Sequence, residues 1–179
     1  MRILNLPNTL TVARIVIIPV FITAVLYQKQ RQALALFVIA ALTDLLDGYI
    51  ARVTNQKTAL GQFLDPLADK FLLVSSFILF SVQGWIPLWL TITVISRDLI
   101  VVIGWFLLYL LTHSVTIEPV LLGKTAIALQ LITLTLVLLS INLSSIIPYQ
   151  EILFIVTAAI TGISGIQYIY KGLRLADAI

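Results

Sequence analysis

Asp44, Asp47, Asp65 and Asp69 make up half of the chain's eight acidic residues, and all four lie within one stretch, TDLLDGYIARVTNQKTALGQFLDPLAD (43–69). On a helix, Asp44, Asp47, Gly48 and Ala51 stand at i, i+3, i+4 and i+7 and share one face. Gly61, Asp65 and Asp69 are each four apart and form a second stripe. The chain has no cysteine and a single histidine, His113, so any metal bound here would have only oxygen ligands. Such a set favours a hard cation, Mg²⁺, Mn²⁺ or Ca²⁺, over zinc. Two such ions sharing four carboxylates form a clamp for a phosphoryl or pyrophosphoryl group. Gly48 and Gly61 let a ligand approach the backbone closely, and Arg52 offers a planar, permanently charged fork for phosphate oxygens.

Two other chemistries use helical acids. Buried carboxylates line ion or proton paths in transporters, but a path does not account for glycine and arginine at fixed offsets from the acids. Prenyl-diphosphate transferases also hold magnesium with aspartates, but on separate helix pairs, whereas here a single helix, loop and helix carries every acid.

The elements that position these residues are legible in the composition. The 179 residues are 60% hydrophobic and 11% charged, with a mean hydropathy of +1.10, against about a quarter charged in soluble domains. This is an all-α, polytopic integral membrane protein by expectation, one domain over 1–179. Crossing about 30 Å of hydrocarbon takes roughly 20 residues, and six segments qualify: 9–27, 33–52, 61–82, 87–111, 123–143 and 151–171. The breaks carry turn chemistry at Gln28 to Gln32, Val53 to Leu60, Gln83-Gly84-Trp85, Thr112 to Leu122 and Asn142 to Gln150. The first apolar run lacks a small-x-small cleavage site and is expected to be retained.

Six spans put both termini on one side. Arg2, Arg52, Lys57, Lys124, Lys171 and Arg174 fall at that face and only Lys29 and Arg31 at the other, so both termini are expected to be cytoplasmic. Trp85 and Trp89 would sit at the opposite interface. The formal charge of +3, gathered on the cytoplasmic side, suits anionic lipid headgroups and not nucleic acid. Asp44 lies eight residues before Arg52 and Asp69 eight after Gly61, so both are about 12 Å deep and the four carboxylates converge. Each costs about 2.5–3.5 kcal/mol in a membrane, so a positive charge must sit among them.

The pattern Asp44-x2-Asp47-Gly48-x2-Ala51-Arg52-x8-Gly61-x3-Asp65-x3-Asp69 resembles, without gap or substitution, the signature of the CDP-alcohol phosphotransferase family. The similarity extends to Leu6-Pro7-Asn8-Thr9-Leu10-Thr11-Val12-Ala13-Arg14 and to Leu64-Asp65-Pro66-Leu67-Ala68-Asp69-Lys70. It implies transfer of a substituted phosphate from a CDP-linked donor to an alcohol, with release of CMP. By this resemblance Asp44, Asp47 and Asp65 ligate two Mg²⁺ or Mn²⁺ ions, and Asp69 both touches metal and serves as general base. Gly48, Ala51, Arg52 and Gly61 line the nucleotide and phosphate pocket. The overall likeness, including Ser164 to Gly172, is greatest to the branch that joins CDP-diacylglycerol to glycerol 3-phosphate in the bacterial plasma membrane. That branch usually carries Arg-Glu in the fourth helix and another arginine where Trp105 stands here, whereas Arg97-Asp98 resembles the mitochondrial-type branch that uses phosphatidylglycerol to make cardiolipin. Homodimers are common in the family, though no motif here marks an interface.

Other polar residues carry two readings each. Arg14 either snorkels toward headgroups or binds phosphate. Arg97, ten residues after Pro87, lies about 15 Å deep, near mid-membrane, and is expected to bind the acceptor phosphate; its neighbour Asp98 points elsewhere on a helix. Lys124, at the start of a helix whose free N–H groups favour anions, binds acceptor phosphate or is a positive-inside flank. Lys70 balances charge. Pro19 and Pro66 free backbone carbonyls, Gly162 and Gly165 allow close helix packing, and His113 is expected to be a solvated loop residue.

Overall fold

The computed structural model describes the backbone of residues 6–54, 59–112, 120–143 and 150–176, and their side chains except for 6–10, 44–54, 59–67, 108–109, 111–112 and 176. Six helices account for it: α1 (Leu6–Leu26), α2 (Gln30–Thr54), α3 (Ala59–Val82), α4 (Leu88–Thr112), α5 (Leu121–Leu143) and α6 (Gln150–Ala176). No strand occurs among the described residues. The first five helices begin and end within three residues of the expected spans, while α6 runs five residues past 171. Hydropathy marks where apolar solvent ends, and nothing in Lys171-Gly172-Leu173-Arg174 breaks the helix there. His113 and Pro148 lie outside the described residues.

The turns show what ends the helices. After α1, Gln28 adopts a left-handed φ of 59°. Lys29 N–H donates to Ala24 O at 2.8 Å and Gln28 N–H to Val25 O at 3.0 Å. This is a Schellman cap, which satisfies carbonyls that the helix end leaves open. Between α3 and α4 the left-handed position falls to Gly84, at φ 73°, where the absence of a side chain makes it cheap.

The chain forms two compact units, Met1–Val82 with Thr135–Ile146, and Gln83–Leu134 with Ile147–Ile179. In the first, α1 packs on α2 and α3. Phe21 is fully buried, its ring centroid 5.7 Å from that of Phe37 on α2 and 6.5 Å from that of Phe80 on α3. Buried Ala24, Ala33 and Ala40 let backbones approach, the usual basis of helix contact in lipid. Asn142 Nδ2 ties the end of α5 to Gln30 O at 3.2 Å. Because one ring serves three helices, Phe21→Ala is expected to destabilise the protein by about 3–5 kcal/mol, read as a lower thermal midpoint in detergent.

In the second unit α4 packs on α6. Thr157, Thr161 and Ser164 are fully buried on one face of α6, where Phe154 also lies. From α5, Gln130 Nε2 donates to Thr161 Oγ1 at 3.1 Å, and Thr133 Oγ1 lies 2.8 Å from Thr157 Oγ1. The same two hydroxyls lie 2.8 Å from carbonyls of their own helices, Thr133 from Leu129 O and Thr157 from Leu153 O.

Leu88–Leu107, Leu121–Leu143 and Gln150–Leu175 are long and apolar enough to cross a membrane, with mean hydropathies of 1.8, 2.1 and 1.9. Thr11–Leu26 and Gln30–Thr43 are shorter apolar helical stretches. The exposed face of α4 carries Ile92, Leu99, Val102, Ile103 and Phe106, a surface suited to lipid and costly in water.

Candidate active site

The premise of the spacing argument holds: helix runs unbroken through Gln30–Thr54 and through Ala59–Val82. Asp44, Asp47, Gly48, Ala51 and Arg52 therefore lie on α2, and Gly61, Asp65 and Asp69 on α3. The side chains of the first five, and those of Asp65 and its neighbour Pro66, lie outside the described residues, as does Gly61 beyond its helical backbone. Five steps of chain from Thr54 to Ala59 keep the facing helix ends within about 18 Å. Two acids at i, i+3 and two at i, i+4 place carboxylates one turn apart on each helix. An all-carboxylate donor set of this kind fits a hard divalent cation. Among the described residues alone there is no group of three or more metal-ligating side chains.

Asp69 is the acid whose surroundings are described, and its partner comes from far away in sequence. Arg14, on α1, is fully buried, and its Nη1 donates to Asp69 Oδ1 at 2.6 Å, while the Asp69 side chain remains 39% exposed. The guanidinium is thus turned inward and does not snorkel to the surface. A charge-assisted bond offsets the desolvation that burial imposes on both ions. Thr11, one turn earlier on the same face of α1, is also buried. The N-terminal stretch ending in Ala13-Arg14 therefore delivers a cation to the acidic stripe of α3.

The second unit holds another buried cation. Arg97 is 5% exposed on α4; its Nε donates to Ser164 Oγ on α6 at 3.1 Å, and its carbon lies 5.3 Å from the centre of the Tyr168 ring. Its Nη1 donates to Asp98 Oδ1 at 2.7 Å. Adjacent positions point apart on a helix, so spacing alone does not guarantee this pair, but the long arginine side chain curls back far enough to make it.

Gly165 passes directly under the arginine shaft, since a Cβ there would lie 3.3 Å from Arg97 Cγ. A Cβ on Gly123 would lie 2.8 Å from Tyr168 Oη and 3.1 Å from Arg97 Nη2. Close packing is therefore the role of Gly165, as expected. Gly162 differs, since its Cβ would meet nothing within 4 Å among the described residues. Lys124, next to Gly123 in the first turn of α5, is exposed. Arg97 and Lys124 are thus brought to one end of α5, and Arg14 and Asp69 to one α1–α3 contact.

Tyr168, Ser164 and Gly123 were not marked as site residues by sequence reasoning. The available signal was the spacing of Thr157, Thr161, Ser164 and Tyr168 along one helical face, polar residues in an otherwise apolar span.

Comparison with known proteins gives the family. The CDP-alcohol phosphatidyltransferase family model matches residues 4–163. The chain is 34% identical to "Cardiolipin synthase (CMP-forming)" of Rattus norvegicus over 98% of its own length, and spans 64% of the length of that relative. It is 32% identical to "CDP-diacylglycerol--glycerol-3-phosphate 3-phosphatidyltransferase" of Aquifex aeolicus (strain VF5), with 96% of this chain and 98% of the relative covered. A Bacillus subtilis (strain 168) protein of the same description is 35% identical, with 93% and 94% covered. The acidic pattern shared between α2 and α3 is thus carried by a chain that belongs to the CDP-alcohol phosphatidyltransferase family.

Proposed function

We propose that this protein transfers the phosphatidyl group of CDP-diacylglycerol to glycerol 3-phosphate, giving phosphatidylglycerophosphate and CMP in phospholipid biosynthesis. The observation that carries this reading is the unbroken helical backbone through both halves of the acidic pattern, in a chain matched over 96% and 93% of its length by relatives described as doing this chemistry. Asp44, Asp47, Asp65 and Asp69 would hold two Mg²⁺ or Mn²⁺ ions, which when bound neutralise the pyrophosphate and the departing CMP. Gly48, Ala51, Arg52 and Gly61 line the cytidine and phosphate pocket.

Asp69 accepts the proton of the attacking hydroxyl as the new oxygen–phosphorus bond forms and the bond to CMP breaks. Arg14 keeps that carboxylate in place and lies within the acceptor set with its Nη1 already committed. Arg97 and Lys124 bind the acceptor phosphate. We read the two units as one catalytic domain over 1–179 with six spans. Both termini and the active site face the cytoplasm of a bacterial plasma membrane, and a homodimer is the assembly.

A second reading, phosphatidylglycerol as acceptor, is favoured by the Arg97–Asp98 pair. With Asp98 neutralising Arg97, only Lys124 adds net charge, which suits a phosphodiester monoanion as well as it suits a dianion. The rat relative is described as making cardiolipin. Purified protein given CDP-diacylglycerol with each acceptor in turn, with CMP release followed, separates the two. On the main reading Arg97→Ala raises the glycerol 3-phosphate requirement about ten- to hundredfold, as loss of one charge-assisted hydrogen bond implies, and leaves the donor KM nearly unchanged. Cardiolipin formed from phosphatidylglycerol by protein that ignores glycerol 3-phosphate would reverse the assignment.

A further inference from the structure

We propose that Tyr168 is a positioning residue for Arg97, holding its guanidinium with Nη2 turned to the first turn of α5, and that Gly123 is the space this arrangement needs. The proposal rests on the reading of Arg97 as an acceptor-phosphate ligand. Three contacts fix the guanidinium on its other sides: Nε on Ser164 Oγ, Nη1 on Asp98 Oδ1, and the plane against the Tyr168 ring. Nη2 makes no hydrogen bond among the described residues and sits 3.1 Å from the Cβ position of Gly123. It is therefore aimed at a helix start, where Gly123 N–H and Lys124 N–H are already bonded back to Val120 O at 2.9 and 3.3 Å, so that the groups without an intrahelical acceptor, which favour an anion, are the N–H groups of Leu121 and Leu122.

Tyr168 links the two sides. Its ring face attracts the guanidinium, and its Oη takes the Val120 N–H at 3.4 Å, a long contact that aligns the chain entering α5. Gly123 lies so close that any side chain there would press on Oη at 2.8 Å and on Cε2 at 3.0 Å. The ring is the larger influence, because the Oη contact is near the limit of a hydrogen bond.

The test uses full-length protein in lipid nanodiscs with CDP-diacylglycerol and whichever acceptor, glycerol 3-phosphate or phosphatidylglycerol, it turns over. Tyr168→Leu should raise the acceptor KM about tenfold with kcat and the donor KM within about twofold, while Tyr168→Phe, which keeps the ring, stays within about threefold. Gly123→Ala should also raise the acceptor KM about tenfold, and Gly123→Ala with Tyr168→Phe should return part of it, because the nearest contact, to Oη, is gone while those to Cε2 and to Arg97 Nη2 remain. A double variant no better than Gly123→Ala alone, or a donor KM that rises with the acceptor KM in Tyr168→Leu, overturns the proposal.

If Arg97→Ala itself leaves the acceptor KM unchanged, the functional reading of Arg97 fails, and the positioning claim is then read from stability. Tyr168→Leu must lower the thermal midpoint of the wild type by about 2–4 °C more than that of Arg97→Ala protein. Equal shifts in the two backgrounds would mean that the ring does not hold the guanidinium.

Discussion

Stripping divalent cations from the purified protein abolishes CMP release from CDP-diacylglycerol, and Mg²⁺ or Mn²⁺ restores it. Four carboxylates on neighbouring turns of two helices repel one another and the diphosphate of the donor. A cation clamp of this kind is worth several kcal/mol in the transition state, so the loss is at least about 10³-fold. Zinc should restore little, because no nitrogen or sulfur donor is present in the acidic pattern. Full turnover by thoroughly metal-free protein would remove the clamp from the mechanism. Ion flux through the protein in liposomes, with no turnover of CDP-diacylglycerol, would instead support the ion-path reading of the same acids.

Asp69→Asn lowers kcat by about 10²–10⁴-fold while donor binding survives, because an amide of the same shape cannot accept the hydroxyl proton. The substitution also has a structural cost, since Arg14 loses a charged partner at 2.6 Å. A charge-assisted bond of this type contributes about 1.5–3 kcal/mol, and the 39% exposure of Asp69 puts the cost toward the lower end. Arg14→Gln separates the two effects. It breaks the same pair and should shift the thermal midpoint comparably, yet it leaves the proton acceptor in place and so reduces kcat far less. Near-normal turnover of Asp69→Asn at saturating metal would exclude Asp69 as the base.

Much of this molecule is legible in its sequence, and the remainder is unreadable for physical reasons. Apolar length and Gln83-Gly84-Trp85 locate the helices, because in lipid every backbone group must be satisfied within its own segment. The break after α1, at Gln28 to Gln32, is legible too, but its geometry is not, since a left-handed Gln28 costs energy that only the finished cap offsets. The acids of α2 and α3 are readable because helical periodicity is a local property.

Arg14 reaches Asp69 across 55 positions, which depends on how α1 lies on α3, and no spacing rule encodes that. The Arg97–Tyr168 contact depends likewise on which α4 and α6 faces meet. Gly123 and Gly165 look alike in sequence to Gly162, and only the neighbouring helix shows that two of the three are filled from outside.

The paired hydroxyls of Thr133 and Thr157 close with a matter of counting. Between them they have three oxygen contacts of 2.8 Å, to Leu129 O, to Leu153 O and to each other, but only two hydrogens. Either Thr133 donates to its own helix and receives from Thr157, or the reverse, or both donate backward and the hydroxyl oxygens face each other with no hydrogen between them. The first two arrangements avoid that approach of bare oxygens, so the hydrogen between the hydroxyls can come from either threonine. Converting either threonine to the similarly shaped valine leaves one hydroxyl with its backbone carbonyl fully satisfied. The α5–α6 seam should therefore tolerate one such replacement at a cost of about 1 kcal/mol, the net worth of a single hydrogen bond.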